Sequence, residues 1–448
     1  MREGSLEAPT RHPILWRDPD FTDPVKLEAE LRRVFDICHG CRRCFNLCDS
    51  FPRLFDLVDA SPTGELDGVA STDFAQVVDA CTLCDLCFMT KCPYVPPHSF
   101  NLDFPHLMLR ARALEATRDE VPHADRELAN TDRNGRLASL AAPVANWASR
   151  EGNTLTRPLL EKHADLHREA ALPAYASTSF VARAAKTPVE VNEAAPAFGR
   201  KAVLYATCFV NYNEVDVGLA TRAVLARNGV ATEVVYPRCC GMPLLEQGRI
   251  AEVAAAATEV ARDLQPWIEA GYDVIALVPS CALMLKFEWP LILPESDDVR
   301  RLARASFDVS EYVVDIARRE GLAPGLQPIP GGIAVHLACH ARAQNMGQKA
   351  AEMLRLLPET EVDVTERCSG HGGSWGFHTD TFPVALKVGR PVAKKMRESG
   401  RAFVTSECPL AGVHIRQGME RIAAGGAPMP ALVAHPIQLF ARAYGIAI

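Results

Sequence analysis

The chain has 448 residues, 48% hydrophobic and 23% charged, with a formal charge of −7. At roughly 100–200 residues per domain this is two to four globular domains. The composition excludes a disordered tail or fibrous repeat, and the charge excludes a whole-chain positive field for nucleic acid.

No run of eighteen apolar residues occurs, so no transmembrane segment is expected. The opening Met1-Arg2-Glu3-Gly4 starts no secretory signal. The expected location is cytoplasmic, at most peripheral on the inner face of the membrane. Fifteen Cys are the anomaly. In an unexported chain of this length they read as metal ligands rather than disulfides.

The first eight Cys fall in two runs, Cys38-x2-Cys41-x2-Cys44-x3-Cys48 and Cys81-x2-Cys84-x2-Cys87-x4-Cys92-Pro93. Three Cys at two-residue steps surround one cubane corner by corner, and a distant fourth closes the shell. In two-cluster ferredoxins that fourth Cys comes from the other run. Cys38, Cys41, Cys44 and Cys92 are therefore expected to hold one [4Fe-4S] cluster. Cys81, Cys84, Cys87 and Cys48 are expected to hold the other. Structural zinc is the competing reading, but it rarely uses three Cys at such steps. The first run has no Pro directly after Cys48, and about thirty residues separate the runs. Phe74–Ala80 looks helical. These gaps suit an α-helical ferredoxin domain over 1–115 better than the compact ββ form.

Residues 116–199 are rich in Ala, Arg and Glu and interrupted by Pro. They read as a connecting region of Pro-broken helices with a linker near Thr187–Gly199 and no interpretable motif. Within it, Arg136–Trp147 is apolar enough to lie on a membrane or partner. Such stretches are more often buried helix faces.

From Lys201 the chain repeats itself. Ala202-Val-Leu-Tyr-Ala-Thr-Cys208 matches Ile333-Ala-Val-His-Leu-Ala-Cys339. Helix-like segments follow at 214–228 and 341–357, then β-rich runs at Thr232–Tyr236 and Glu361–Thr365. Arg238-Cys-Cys-Gly241 matches Arg367-Cys-Ser-Gly370, and the run ending in Cys281 matches the run ending in Cys408. The offsets agree: 31 residues from Cys208 to Cys239 against 29 from Cys339 to Cys368. Two copies of a βαβαβ unit are expected, over 200–328 and 329–448. Parallel sheets bind ligands beyond the carboxyl ends of their strands. Cys208, Cys239, Cys240 and Cys281 should then converge from three loops on one crevice. Buried Cys acting as small hydrophobes is the plain alternative. The whole chain thus reads as α+β multidomain, helical first and α/β in its Cys-rich half.

Two ferredoxin runs followed by two repeats of the Cys…Cys-Cys-Gly…Cys type resemble the heterodisulfide reductase D-like iron–sulfur proteins. That group includes one subunit of anaerobic glycerol-3-phosphate dehydrogenase and the iron–sulfur subunits of lactate and glycolate oxidases. The phrases Ile37-Cys-His-Gly-Cys-Arg-Arg-Cys44 and Arg367-Cys-Ser-Gly-His-Gly-Gly-Ser-Trp-Gly-Phe377 look close to a bacterial subgroup with rubrerythrin-type partners. The resemblance implies an iron–sulfur electron-transfer subunit. It would link a flavoprotein dehydrogenase, or a rubrerythrin-like redox protein, to an acceptor such as a quinone pool. It implies an oxidoreductase component rather than a self-sufficient enzyme.

In this family a full repeat ends in Cys-x2-Cys. Here the first repeat ends Cys281-Ala-Leu-Met284. Four thiolates remain, enough for one further cluster, and a five-thiolate non-cubane site becomes doubtful. The second repeat is degenerate: Cys339, Cys368 and Cys408 remain, with Ser369 and Ala411 at the other two positions. His340 and His371 flank these Cys, and imidazole can replace thiolate on iron. His371, in its Gly-rich loop, is the favoured ligand; plain hydrogen-bonding histidines are the alternative. Dense Gly in that loop permits close approach of backbone to a cofactor. Gly370–Gly376 fits neither nucleotide-binding pattern, so NAD, flavin and ATP are not expected. Two other functions compete. One is heterodisulfide reductase-like reduction of a disulfide or other sulfur substrate at the Cys-Cys-Gly site. The other is redox sensing, which would not need two ferredoxin runs.

Overall fold

Helix-forming sequence dominates the N-terminal half, and among the described residues no strand precedes Lys201. The computed structural model describes residues 9–422 and 428–447. The helix Pro24–Cys41 begins with Pro at N1 and an Asp23 cap that accepts the Lys26 N–H. It buries Leu27, Leu31, Val34 and Phe35. Ser50–Asp59, Ala75–Asp79 and Phe104–Thr117 pack with it around Phe35, Phe51, Phe74 and Phe104. The helix expected at Phe74–Ala80 is thus present, one residue shorter at each end.

The connecting region forms short helices, among them His123–Ala129, Thr131–Leu140, Ala142–Ser149 and Arg157–Ala164. The apolar stretch at 136–147 is not a buried face. Leu140 is 86% exposed and Val144 65% exposed, because the break at Ala141–Ala142 turns their side outward.

Each repeat is a four-stranded parallel sheet. In the first, β1 (Lys201–Tyr205), β2 (Ala231–Val235), β3 (Asp273–Ala276) and β4 (Ser306–Asp308) lie in the order β2-β1-β3-β4. In the second, β5 (Ile333–His336), β6 (Val362–Thr365), β7 (Phe403–Ser406) and β8 (Ala431–Val433) lie in the order β6-β5-β7-β8. Ala202 pairs with Thr232 and Asp273, and Ala334 with Asp363 and Val404. The central strands β1 and β5 are buried on both faces, as parallel strands between helices must be. The fourth strands extend the expected βαβαβ units. The helix expected over 341–357 is two, Cys339–Ala343 and Lys349–Leu354, separated where Asn345 and Gly347 take positive φ.

The repeats interlock. The last helix, Pro436–Ala443, packs on Val215–Arg227 of the first repeat, and the Tyr444 hydroxyl lies 3.2 Å from Asn228 Oδ1. The N-terminal segment crosses to the first repeat as well. The Ile14 N–H donates to the Leu291 carbonyl, the Trp16 indole donates to the Ile292 carbonyl, and Arg11 pairs with Asp85, Asp103 and Glu288.

Candidate redox site

In the first run, Cys38 and Cys41 stand one turn apart at the end of a helix. Arg42 then takes φ 49° and turns the chain toward Cys44. In the second run, Leu83 and Asp85 take φ 46° and 62° on either side of Cys84. A tight turn over Cys87–Lys91 closes with the Cys92 N–H on the Cys87 carbonyl. Burial raises the Cys38 thiol far above its ordinary range, and the facing thiols of Cys92, Cys44 and Cys41 add to the shift. Burial likewise raises Cys48, whose electrostatic neighbours are Cys84, Cys81 and Cys368. Cys87 is raised by burial and by Cys84, Cys81, Cys48 and Cys44. Each run's last Cys therefore faces the thiols of the other run.

In both sheets the strand order reverses beside the first strand, which makes a crevice at the carboxyl ends. Cys208 follows β1, Cys239 and Cys240 follow β2, and Cys281 follows β3. Their sulfurs meet: Cys208 and Cys239 are 3.7 Å apart, Cys240 and Cys281 3.2 Å. Contacts with the Cys208 and Cys240 sulfurs, and the Gly241 N–H that donates to it, lower the Cys239 thiol, while Cys208 and Cys240 are raised. Met284 is fully buried in the core and does not line the crevice.

The second crevice gathers Cys339, Cys368 and Cys408, with Ser369 and Ala411 lining it. Cys339 is raised by burial and then by Cys84, Cys368 and Cys408, and Cys408 is pushed up to about 11, chiefly by burial. His371 lines the same space. Burial holds its imidazole neutral, with a pKa of about 3, and Nδ1 has no hydrogen-bond partner among the described residues. His340 differs, since Nδ1 lies 2.8 Å from Ser280 Oγ and Nε2 3.3 Å from the Leu83 carbonyl.

One cavity of about 350 Å³ joins the two crevices and reaches Cys84. Leu128, Leu172, Tyr175, Phe209, Met242 and Phe377 form much of its apolar wall. No Lys or Arg occurs among the described residues lining it. The glycines of the 370–376 loop permit protein-to-protein approach. A Cβ on Gly372 would strike Thr82, and one on Gly373 would strike the Glu246 carboxylate. Glu246 is pushed up to about 7 by burial, opposed by Arg112 and aided by Asp125.

Several functional side chains carried no signal in the sequence. Asp132 accepts the Cys239 N–H and the Tyr236 hydroxyl, and the buried Trp289 indole donates to the Cys240 carbonyl. Tyr205 and His336 were legible in principle, because both precede their Cys by three residues. The Tyr205 hydroxyl donates to the Arg238 carbonyl and His336 Nε2 to the Arg367 carbonyl, each just before the next Cys. His336 Nδ1 then accepts from Ser406, and burial depresses the imidazole to about 4.

The family model for the CCG cysteine-rich domain matches twice, over residues 202–286 and 333–416. Lactate utilization protein A of Geobacillus thermodenitrificans is 30% identical over 44% of this chain and 78% of its own length. The chain belongs to the CCG cysteine-rich family. The CCG protein is also 26% identical to one subunit of the anaerobic glycerol-3-phosphate dehydrogenase of Escherichia coli K12, over 63% of this chain and 69% of the relative. One subunit of the fumarate reductase (CoM/CoB) of Methanothermobacter marburgensis is 26% identical over 50% of this chain and 43% of its own. Among the described residues, no helix is long and apolar enough to cross a membrane. None of them forms a group of three or more His, Cys, Asp or Glu arranged for a single metal ion. The sets of soft thiols fit a sulfur-bridged iron group, whose ligands each meet a different metal atom.

Proposed function

We propose that this CCG protein is an iron–sulfur electron-transfer subunit. Residues 1–115 form an α-helical ferredoxin-type domain, and 116–199 connect it to repeats over 200–328 and 329–448. Cys38, Cys41, Cys44 and Cys92 hold one [4Fe-4S] cluster, and Cys81, Cys84, Cys87 and Cys48 hold the second. Cys208, Cys239, Cys240 and Cys281 hold a further iron–sulfur centre. Cys339, Cys368 and Cys408 hold a fourth with His371, whose unpartnered, neutral Nδ1 supports that role. When bound, these centres accept and release single electrons.

The observation that carries this reading is the succession of thiols. Cys44 neighbours Cys87, Cys48 and Cys84 neighbour Cys368, and Cys408 neighbours Cys281. In this reading the two ferredoxin-type sets adjoin each other, the one containing Cys84 adjoins the second-repeat set, and that set adjoins the first-repeat set. The cavity supports a division of labour. Its lining offers no guanidinium or ammonium for a carboxylate or phosphate, so oxidation of an organic anion belongs to a partner protein. A flavoprotein dehydrogenase, or a rubrerythrin-like redox protein, supplies the electrons, and an uncharged acceptor such as a quinone takes them. The outward apolar residues Leu137, Leu140, Val144 and Trp147 suit attachment to a partner or to the inner membrane face.

A second reading is reduction of a disulfide or other sulfur substrate in the cavity. It is favoured by the thiols of the first repeat meeting in that cavity, Cys208 and Cys239 3.7 Å apart and Cys240 and Cys281 3.2 Å apart. One set of assays separates the two. Anaerobic protein is analysed for iron and sulfide, titrated by EPR, and offered either disulfides or a reduced flavoprotein. Fast cluster reduction with negligible disulfide turnover is expected. Rapid disulfide reduction by the isolated chain would favour the second reading, and zinc in place of iron would overturn both.

A further inference from the structure

His340 is buried, and both of its ring nitrogens are taken. The Leu83 carbonyl can only accept, so Nε2 carries the proton and donates to it. Nδ1 then has no proton and accepts from the Ser280 hydroxyl. Each partner sits beside a cysteine. Leu83 directly precedes Cys84, Ser280 directly precedes Cys281, and His340 itself directly follows Cys339. These three cysteines come from the N-terminal region, the first repeat and the second repeat. Gln344, also buried, fastens the same junction by donating to the Pro279 and His340 carbonyls, and Lys286 in turn donates to Gln344.

We propose that His340 is the bridge by which electrons pass from the Cys84 loop to the two repeats. The proposal rests on the electron-transfer reading above. Electron tunnelling weakens less steeply along covalent and hydrogen bonds than across van der Waals gaps. The path here is unbroken. It runs from Cys84 through its peptide bond to the Leu83 carbonyl, across Nε2–H to the imidazole, across Nδ1 to Ser280 Oγ, and through one peptide bond to Cys281. The His340 backbone leads directly to Cys339. One electron leaves the centre held by Cys84 and one arrives at the repeat. The imidazole neither gains nor loses a proton, and its Nε2–H stays on the Leu83 carbonyl throughout. A low-potential reductant, dithionite in the test, supplies the electron.

The bridge predicts a kinetic fault without a structural one. Ser280→Ala removes one hydrogen bond at no cost in volume, and His340→Leu removes both. Each protein is prepared anaerobically, assayed for iron and sulfide, and reduced by dithionite with rapid-freeze EPR. The expected result for Ser280→Ala is unchanged iron, unchanged line shapes and unchanged reduction of the N-terminal signals. The first-repeat signal should follow several-fold more slowly. His340→Leu should slow it further, and if that variant loses iron, Ser280→Ala alone decides. Wild-type rates in Ser280→Ala with full iron would overturn the bridge and leave the electron-transfer reading standing. A wild-type first repeat without iron would overturn both.

Discussion

The hydroxyl of Tyr205 and the imidazole of His336 perform one task in two copies of the repeat. Each is buried at the end of a central strand and fixes the carbonyl that precedes a cysteine. Tyr205→Phe leaves the Arg238 carbonyl without that donor, at a cost of about 1–2 kcal/mol. The loop bearing Cys239 and Cys240 should then loosen, seen as a lower urea midpoint and faster alkylation of both cysteines in iron-free protein. Glu246 gives a second prediction. Its folded carboxyl is raised to about 7 from an ordinary value of 4.5, so the native state binds the extra proton between those values. Stability therefore falls as pH climbs through that window. Glu246→Gln should remove the fall, a gain of about 3 kcal/mol at pH 8 and none at pH 4, by denaturation at both pH values. The spacing of the cysteines was legible from sequence because each run repeats at fixed short steps. Asp132 and Trp289 were not, since they meet their cysteines only across 107 and 49 positions of chain.

Among elements, the helix Thr131–Leu140 shows what the connecting region does. It lies against Cys208–Tyr212, and a Cβ on Gly135 would strike the Tyr212 ring. Gly135→Ala should force these helices apart at a cost of about 1–3 kcal/mol, with a lower Tm and greater exposure of Cys208 to thiol reagents. The sequence offered no motif here because the region acts by shape, walling the cavity with Leu128, Asn134 and Tyr175. The six longer strands were legible, four as apolar runs ending near a cysteine and two as β-rich runs before one. β4 and β8 were not, since three residues are too few to display a period. The density of glycine over 370–376 suggests room for a cofactor. Gly372 and Gly373 line the cavity and also make room for Thr82 and Glu246, so the same backbone freedom joins the second repeat to its neighbours.

At the scale of the molecule, the N-terminal segment ties the helical half to the first repeat through Arg11. The guanidinium meets Asp85, Asp103 and Glu288, and those charges hold it firmly protonated despite burial. Arg11→Met would leave the buried Asp85 without its cation and Asp103 and Glu288 with His106 alone, a loss of about 3–5 kcal/mol. Unfolding should then split into two transitions by calorimetry, the helical half melting first. Cys48→Ser tests the crosswise arrangement at the same scale. It should damage the EPR signal of the set containing Cys81, Cys84 and Cys87 and spare that of Cys38, Cys41 and Cys44. The last helix, Pro436–Ala443, has a further consequence. It covers a helix of the first repeat, Val215–Arg227, that leaves the ribosome far earlier. Until Pro436–Ala443 has been released, Val215–Arg227 has an uncovered apolar face. A chain halted before residue 436 should therefore bind a hydrophobic dye more strongly than the full chain and melt at a lower temperature.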